Sequence, residues 1–302
     1  MCPANVVGGI VYVCLSFALF LLNLLVLVTI LTFKEYASIT YRIIKNMCVA
    51  CLLQLIVFFI GALMTFHGNT FNSTFEKVLG AVVQATWILY ISLSLTLAID
   101  RMLTFVSSHL SSFVSYLLLT VSWIHGTIHF VLLLLPDFTV AYCIDKGWCY
   151  MWDYDQSPGS KKMDKIIAYV LLALEFSSLC CYIVVLYRLV KLQMKKFSNS
   201  TGIVAYKVEL RILSVSVLSF LYESSLITFL TWGREILPDA AAKDIAINVV
   251  WMLDSGLFSV ATIVINTSLR RKLLSLFRVP KKNVTVVTTI PLTHSRIEPQ
   301  WK

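Results

Sequence analysis

The chain has 302 residues, of which 58% are hydrophobic and 14% charged, and its formal net charge is +9. Soluble domains carry about 25% charged residues, so a single soluble core would not absorb this much apolar surface. The composition excludes a soluble enzyme and a nucleic-acid-binding module, which needs a soluble basic face, and it points to a membrane protein.

Charges and turn residues divide the chain into seven apolar runs: Val6–Phe33, Met47–Phe66, Val78–Phe105, Phe113–Leu135, Ile166–Tyr187, Ile212–Trp232 and Ile245–Leu269. Each is about the 20 residues that a spanning helix needs. The expected fold is an all-α membrane protein, a seven-transmembrane-helix bundle with a short cytoplasmic amphipathic helix. The bundle takes residues 1–279, and 280–302 reads as a disordered polar tail. The start, MCPANVVGG, lacks the basic n-region of a cleaved signal peptide, and the apolar run behind it is too long for one. Cys14, Cys48, Cys51, Cys180 and Cys181 fall inside apolar runs and read as small hydrophobes rather than as a disulfide framework.

The third run holds the stretch on which the chain is organised, WILYISLSLTLAIDRMLTF from Trp87 to Phe105. It closes on the pair Asp100–Arg101. An unpaired Arg at the centre of a bilayer costs a few kcal/mol at least, and at its edge the cost falls, so the pair marks a membrane boundary. Gln84, Trp87, Ile91, Ser94, Ala98 and Arg101 recur at steps of three and four and share one helical stripe. A stripe with polar groups at both ends must avoid lipid, which makes this the central helix.

Most of the basic residues fall in Lys34–Asn46, after Asp100, in Arg188–Arg211 and after Leu269. The positive-inside rule then sets the N-terminus outside and the C-terminus in the cytoplasm. The external loop Asp137–Lys165 contains Cys143 and Cys149, whose spacing could close a local hairpin disulfide, and it also carries Trp148 and Trp152. Asn72-Ser73-Thr74 is an external glycosylation sequon. After the seventh run, Arg270–Arg278 puts Leu273, Leu274 and Phe277 on one face and bases on the other, as expected for a helix lying on an anionic leaflet.

Five ionisable residues lie inside the runs: His125, His129, Glu175, Glu223 and Asp254. The three acids each stand about nine residues from an outer helix end, roughly 14 Å deep at 1.5 Å per residue. His125 stands near the same level and His129 nearer the outside. Intramembrane ionisable residues are functional candidates by default. One reading is a ligand site open to the outside, completed by Gln84, Trp87 and Trp251. The other is that histidines and carboxyls satisfy one another and hold the bundle together. The residues give no Gly-rich phosphate loop, no nucleophile elbow and no metal motif, so neither catalysis nor a cofactor is expected.

Three stretches, TYRIIKNMCVACLLQLIVFFIGA, TWILYISLSLTLAIDRMLTF and IVINTSLRRKLL, resemble the nematode serpentine chemoreceptors of class T or class X, divergent rhodopsin-like G-protein-coupled receptors. The resemblance runs from about Asn23 to Phe277. It implies that Asn23 is the family's helix-one Asn, Asp100–Arg101 its acid–Arg pair, Trp123 its helix-four Trp and Asn266 the Asn of its helix-seven motif. In the superfamily the acid–Arg pair helps to keep the cytoplasmic face closed until agonist binds. Glu209, just before the sixth run, could add a second partner for Arg101. The chain departs from the pattern as well. Thr267 replaces the helix-seven Pro, Arg270 takes the slot of the motif's Tyr, and Cys51 stands for the helix-two Asp of the sodium-type site. Ser219–Leu230 has no Pro, and no Cys lies between Cys51 and Cys143 to tether the second external loop.

The implied function is a chemosensory receptor of the plasma membrane, and of sensory cilia in particular. It would bind an external small molecule or peptide and signal to a heterotrimeric G protein. Membrane lipid and a second receptor copy are further partners. The rivals are a proton-coupled transporter and a ligand-gated odorant channel. Transporters usually show paired repeats and broken helices, and odorant channels have the inverted orientation; neither fits this chain.

Overall fold

In the computed structural model the described residues are 3–106, 108–143, 151–154, 157–195, 200–232 and 241–277. Seven helices are long and apolar enough to cross a membrane. They belong to α1 (Pro3–Thr32), α2 (Ile39–His67), α3 (Ser73–Val106), α4 (Ser108–Leu134), α5 (Pro158–Lys195), α6 (Ser200–Trp232) and α7 (Ala241–Ile265). A shorter α8 (Thr267–Phe277) follows. Helix α5 runs well past both ends of the apolar run that announced it. The seventh helix stops short of Leu269, which belongs to α8 instead.

Helix ends follow local chemistry. Asn72 caps α3, its Oδ1 accepting the amides of Thr74 at 2.8 Å and Phe75 at 3.2 Å. Ser157 accepts the Ser160 amide at 3.3 Å ahead of Pro158, a residue suited to the first helical position. Gly68 ends α2 in the left-handed conformation at φ 69°, its amide bonded to the Met64 carbonyl.

Helix α3 is the most enclosed span, with 83% of its apolar window buried, against 22% for α4. The expected stripe from Gln84 to Arg101 is buried throughout. The outward faces keep large apolar side chains exposed, such as Phe113, Tyr169 and Phe176, as a lipid-facing surface does. Small residues set the closest helix approaches. A Cβ at Gly126 of α4 would sit 3.0 Å from the Leu89 Cβ on α3, and one at Gly256 of α7 would run into Leu19 of α1.

Between α4 and α5, β1 (Val140–Tyr142) pairs antiparallel with β2 (Trp152–Tyr154), with Tyr142 opposite Trp152. This hairpin sits against the bundle. A Cβ at Gly80 of α3 would collide with the Val140 carbonyl, and one at Gly61 of α2 would crowd Trp152 Nε1 at 3.2 Å. The Tyr142 amide donates to Glu76 at 2.8 Å, and the Tyr142 hydroxyl lies 2.6 Å from that of Thr65. Cys143 follows β1, while Cys149 and Trp148 lie outside the described residues, as does the tail from 278.

Candidate functional site

Beneath the hairpin is a cavity of about 360 Å³. Helix α3 brings Gln84 and Trp87 to it, α7 brings Trp251, α5 brings Asp164 to Leu171, and α6 brings Ile227 and Leu230. The hairpin contributes Val140 and Met151 to Tyr154. Trp87 and Trp251 meet edge to face, their ring centroids 5.2 Å apart, and Phe58 packs on Trp251 from the other side at 5.6 Å. Gln84, Trp87 and Trp251 therefore meet as the sequence pattern anticipates. The hairpin and α5 residues were missed as liners. The signal was the aromatic and acidic content of Asp137–Lys165, which shows neither register nor direction. Burial pushes the pKa of the Tyr154 phenol up, the nearby Asp164 charge adds to it, and the group stays a neutral hydroxyl at physiological pH.

The acids lie next to this floor. Asp254 is fully buried one turn below Trp251, and its Oδ2 accepts the Trp87 indole N–H at 3.1 Å. Glu175 accepts the Ser224 hydroxyl at 2.7 Å. Glu223 is 1% exposed and lies beside the Glu175 carboxyl and the Tyr90 hydroxyl, within electrostatic reach of Asp254. The three acids share one buried layer, as their sequence depth predicts.

The two histidines are elsewhere, contrary to the expectation of one five-membered layer. His125 bonds the Ser92 hydroxyl at 2.8 Å, and His129 Nε2 lies 3.1 Å from His125 Nε2. They sit on the α3–α4 seam, and His125 lines a separate crevice of about 110 Å³. Residues four apart share a helix face, but that spacing does not fix where the face points. Among the described residues no three of His, Cys, Asp and Glu could hold a metal ion together.

At the other end of α3, Asp100 is fully enclosed. Its Oδ2 accepts Arg101 Nη2 at 2.6 Å and the Thr40 hydroxyl at 2.9 Å. Its Oδ1 accepts Ser115 at 2.7 Å and, weakly, Ser111 at 3.4 Å. Arg101 also bonds Thr40. Thr40, Ser111 and Ser115 carried no sequence signal, because hydroxyls are frequent in every run. The backbone of Glu209 lies in α6, and its side chain lies outside the described residues.

Asn23 reaches from α1 to α7, donating to the Ser255 carbonyl at 3.2 Å and accepting the Ser259 hydroxyl at 2.6 Å. The Ser255 hydroxyl donates to Gln54 of α2 at 2.9 Å. Trp123 donates to Asn46 at 2.9 Å. Asn266 stands at the α7–α8 junction, and its side chain caps α8 by accepting the Leu269 amide at 3.2 Å.

The model of the family described as serpentine type 7TM GPCR chemoreceptor Srt matches residues 3–286. The chain belongs to this family. Of the two classes the sequence resembles, the match is to class T. The Srt backbone also superposes on the crystal structure of squid rhodopsin with a TM-score of 0.74, at 14% identity over 92% of this chain and 87% of that one. At that identity the likeness shows the fold alone. Among curated protein sequences, none matches. This Srt protein is thus a seven-transmembrane chemosensory receptor, and membership implies ligand and G-protein partners in general.

Proposed function

We infer that an external small molecule or short peptide binds in the cavity floored by Trp87 and Trp251. Its arrival is read at the cytoplasmic face through α3. The observation that carries this reading is that one helix serves both places. Trp87 lines the cavity and Arg101 is held at the far end, 14 residues away, roughly 21 Å along the same axis. An element with two stable arrangements, biased by ligand at one end and by a partner at the other, is a physical switch.

In this reading the receptor sits in the plasma membrane with its N-terminus outside, and sensory cilia are the fitting compartment. The heterotrimeric G protein meets the basic segment Arg188–Lys207 beside α8, and Glu209 is a second partner for Arg101 in the closed state. Asn72 carries a glycan through Nδ2, which leaves Oδ1 on the α3 amides. Cys143 and Cys149 close a local disulfide. A second receptor copy would pair through the lipid-facing helices.

The test is coupling in cells. The full chain, with a panel of G proteins, is challenged with a broad set of odorants and peptides. It is compared with Arg101→Ala and Asp254→Asn at matched surface level. A response lost in both supports the outer site and the inner switch. A response that survives Asp254→Asn and not Arg101→Ala removes Asp254 from the site. A surface-expressed chain that couples to no G protein yet passes current or substrate refutes the reading.

A further inference from the structure

Among the described residues the interactions of the carboxyl layer include no basic side chain, and the cavity beside it is lined by Lys165 of α5. Glu223, Asp254 and Glu175 lie on three helices within reach of one another. The polar contacts made to them come from the Ser224 hydroxyl and the Trp87 indole, both uncharged. Both oxygens of Glu223 and Oδ1 of Asp254 are buried, and the groups beside Glu223, the Glu175 carboxyl and the Tyr90 hydroxyl, carry no positive charge. In a bilayer such groups are costly to keep unless something binds them.

Two further observations indicate what fills the gap. The layer adjoins the Trp87–Trp251 floor: Trp87 lines the cavity, and its indole N–H is bonded to Asp254. Indole faces attract cations. Among the described residues no three of His, Cys, Asp and Glu are arranged to hold a metal ion, and a group with several hydrogen-bond donors suits two carboxyls on different helices. An ammonium group has three.

We propose that the ligand of this receptor is a small organic amine whose ammonium group is held by Glu223 and Asp254 and whose apolar body rests on Trp87 and Trp251. The inference rests on the cavity being the ligand site and names the ligand's chemistry. The ammonium group takes Asp254 from the Trp87 indole and parts the two tryptophans. Binding thereby acts on α3, the helix that carries Asp100 and Arg101.

Two readouts test it. In the first, detergent-purified full-length receptor is heated with n-alkylamines and phenethylamine, or with the alcohols of matching size. In the second, the same compounds are given to cells that report G-protein dissociation. Amines should raise the melting midpoint and elicit the response, and the alcohols should do neither. Glu223→Gln and Asp254→Asn should each reduce amine potency by at least about tenfold. Glu223→Asp, which keeps the charge, should retain most of it, and this guards against a variant that merely misfolds. Equal action of alcohols and amines, unchanged amine potency in both neutral variants, or no shift with any amine would each overturn the proposal. Stabilisation by amines without any G-protein response would uphold the ligand class and refute the signalling reading. Activation by neutral odorants that is untouched by Glu223→Gln would do the reverse.

Discussion

Asp100 is held by hydroxyls from α2 and α4 as well as by its neighbouring guanidinium, so the acid at the inner end of α3 is a junction of three helices. Removing the guanidinium leaves a buried carboxyl with hydroxyl partners only. Breaking one side of a buried ion pair typically costs about 3–5 kcal/mol. Arg101→Ala should therefore lower the melting midpoint as well as abolish coupling. Ser115→Ala, which removes one neutral donor, should cost about 1 kcal/mol and raise ligand-free G-protein activity as the junction loosens. A Ser115→Ala receptor with unchanged basal activity would mean that the α4 contact is structural only. At the outer end, Trp87→Phe keeps the aromatic floor and deletes the N–H to Asp254. The cost is about 1–3 kcal/mol for another unmet buried carboxyl oxygen, read as a lower midpoint in the absence of ligand.

At the scale of elements, the hairpin is seated by shape. Gly80 leaves space for the Val140 carbonyl, and any side chain there must push β1 outward. Gly80→Ala should cost about 1–3 kcal/mol and weaken the ligand response while surface expression persists. Hydrogen exchange at Val140–Tyr142 should speed up in the same variant. Helix α8 starts from the Asn266 cap and is held on the bundle by buried Leu269 and Leu273. Asn266→Ala should cost about 1 kcal/mol, visible as faster exchange over Thr267–Phe277 with α1–α7 unchanged. The spanning helices were legible in the sequence, because a bilayer imposes length and apolarity on every span. The start of α8 was not. Leu269 reads as the end of an apolar run, and only the Asn266 cap reveals that a new helix has begun. The hairpin pairing was not legible either, since its strands have three residues each and owe their register to Gly80, Gly61 and Glu76 on other elements.

At the scale of the molecule, the chain is a bundle around α3, and the proposed site is divided between the two ends of that helix. Depth along a helix follows from counting residues, so the level of Glu175, Glu223 and Asp254 was legible. Rotation about the helix axis is set by packing, and so His125 and His129 were assigned to the wrong neighbours. The arrangement of bases predicts orientation. An epitope placed before Pro3 should be reachable by antibody on intact cells, and one after Lys302 only after permeabilisation. Asn72→Gln should remove the mass of one glycan. An inverted labelling pattern would move the cavity to the cytoplasm and contradict ligand capture from outside.

The seat of the hairpin has one more consequence. The sequence has no cysteine from residue 52 to residue 142, so no covalent bond can join the hairpin to α3. Among the contacts that seat β1 on the bundle are a glycine notch, a carboxylate on a backbone amide and a pair of hydroxyls, none of which takes up or gives up electrons. The seat of β1 on α3 therefore does not depend on a disulfide to that helix. Dithiothreitol applied to the N-terminal side of the membrane should leave β1 docked on α3 even where it opens the proposed Cys143–Cys149 bridge, read as unchanged hydrogen exchange at Val140–Tyr142.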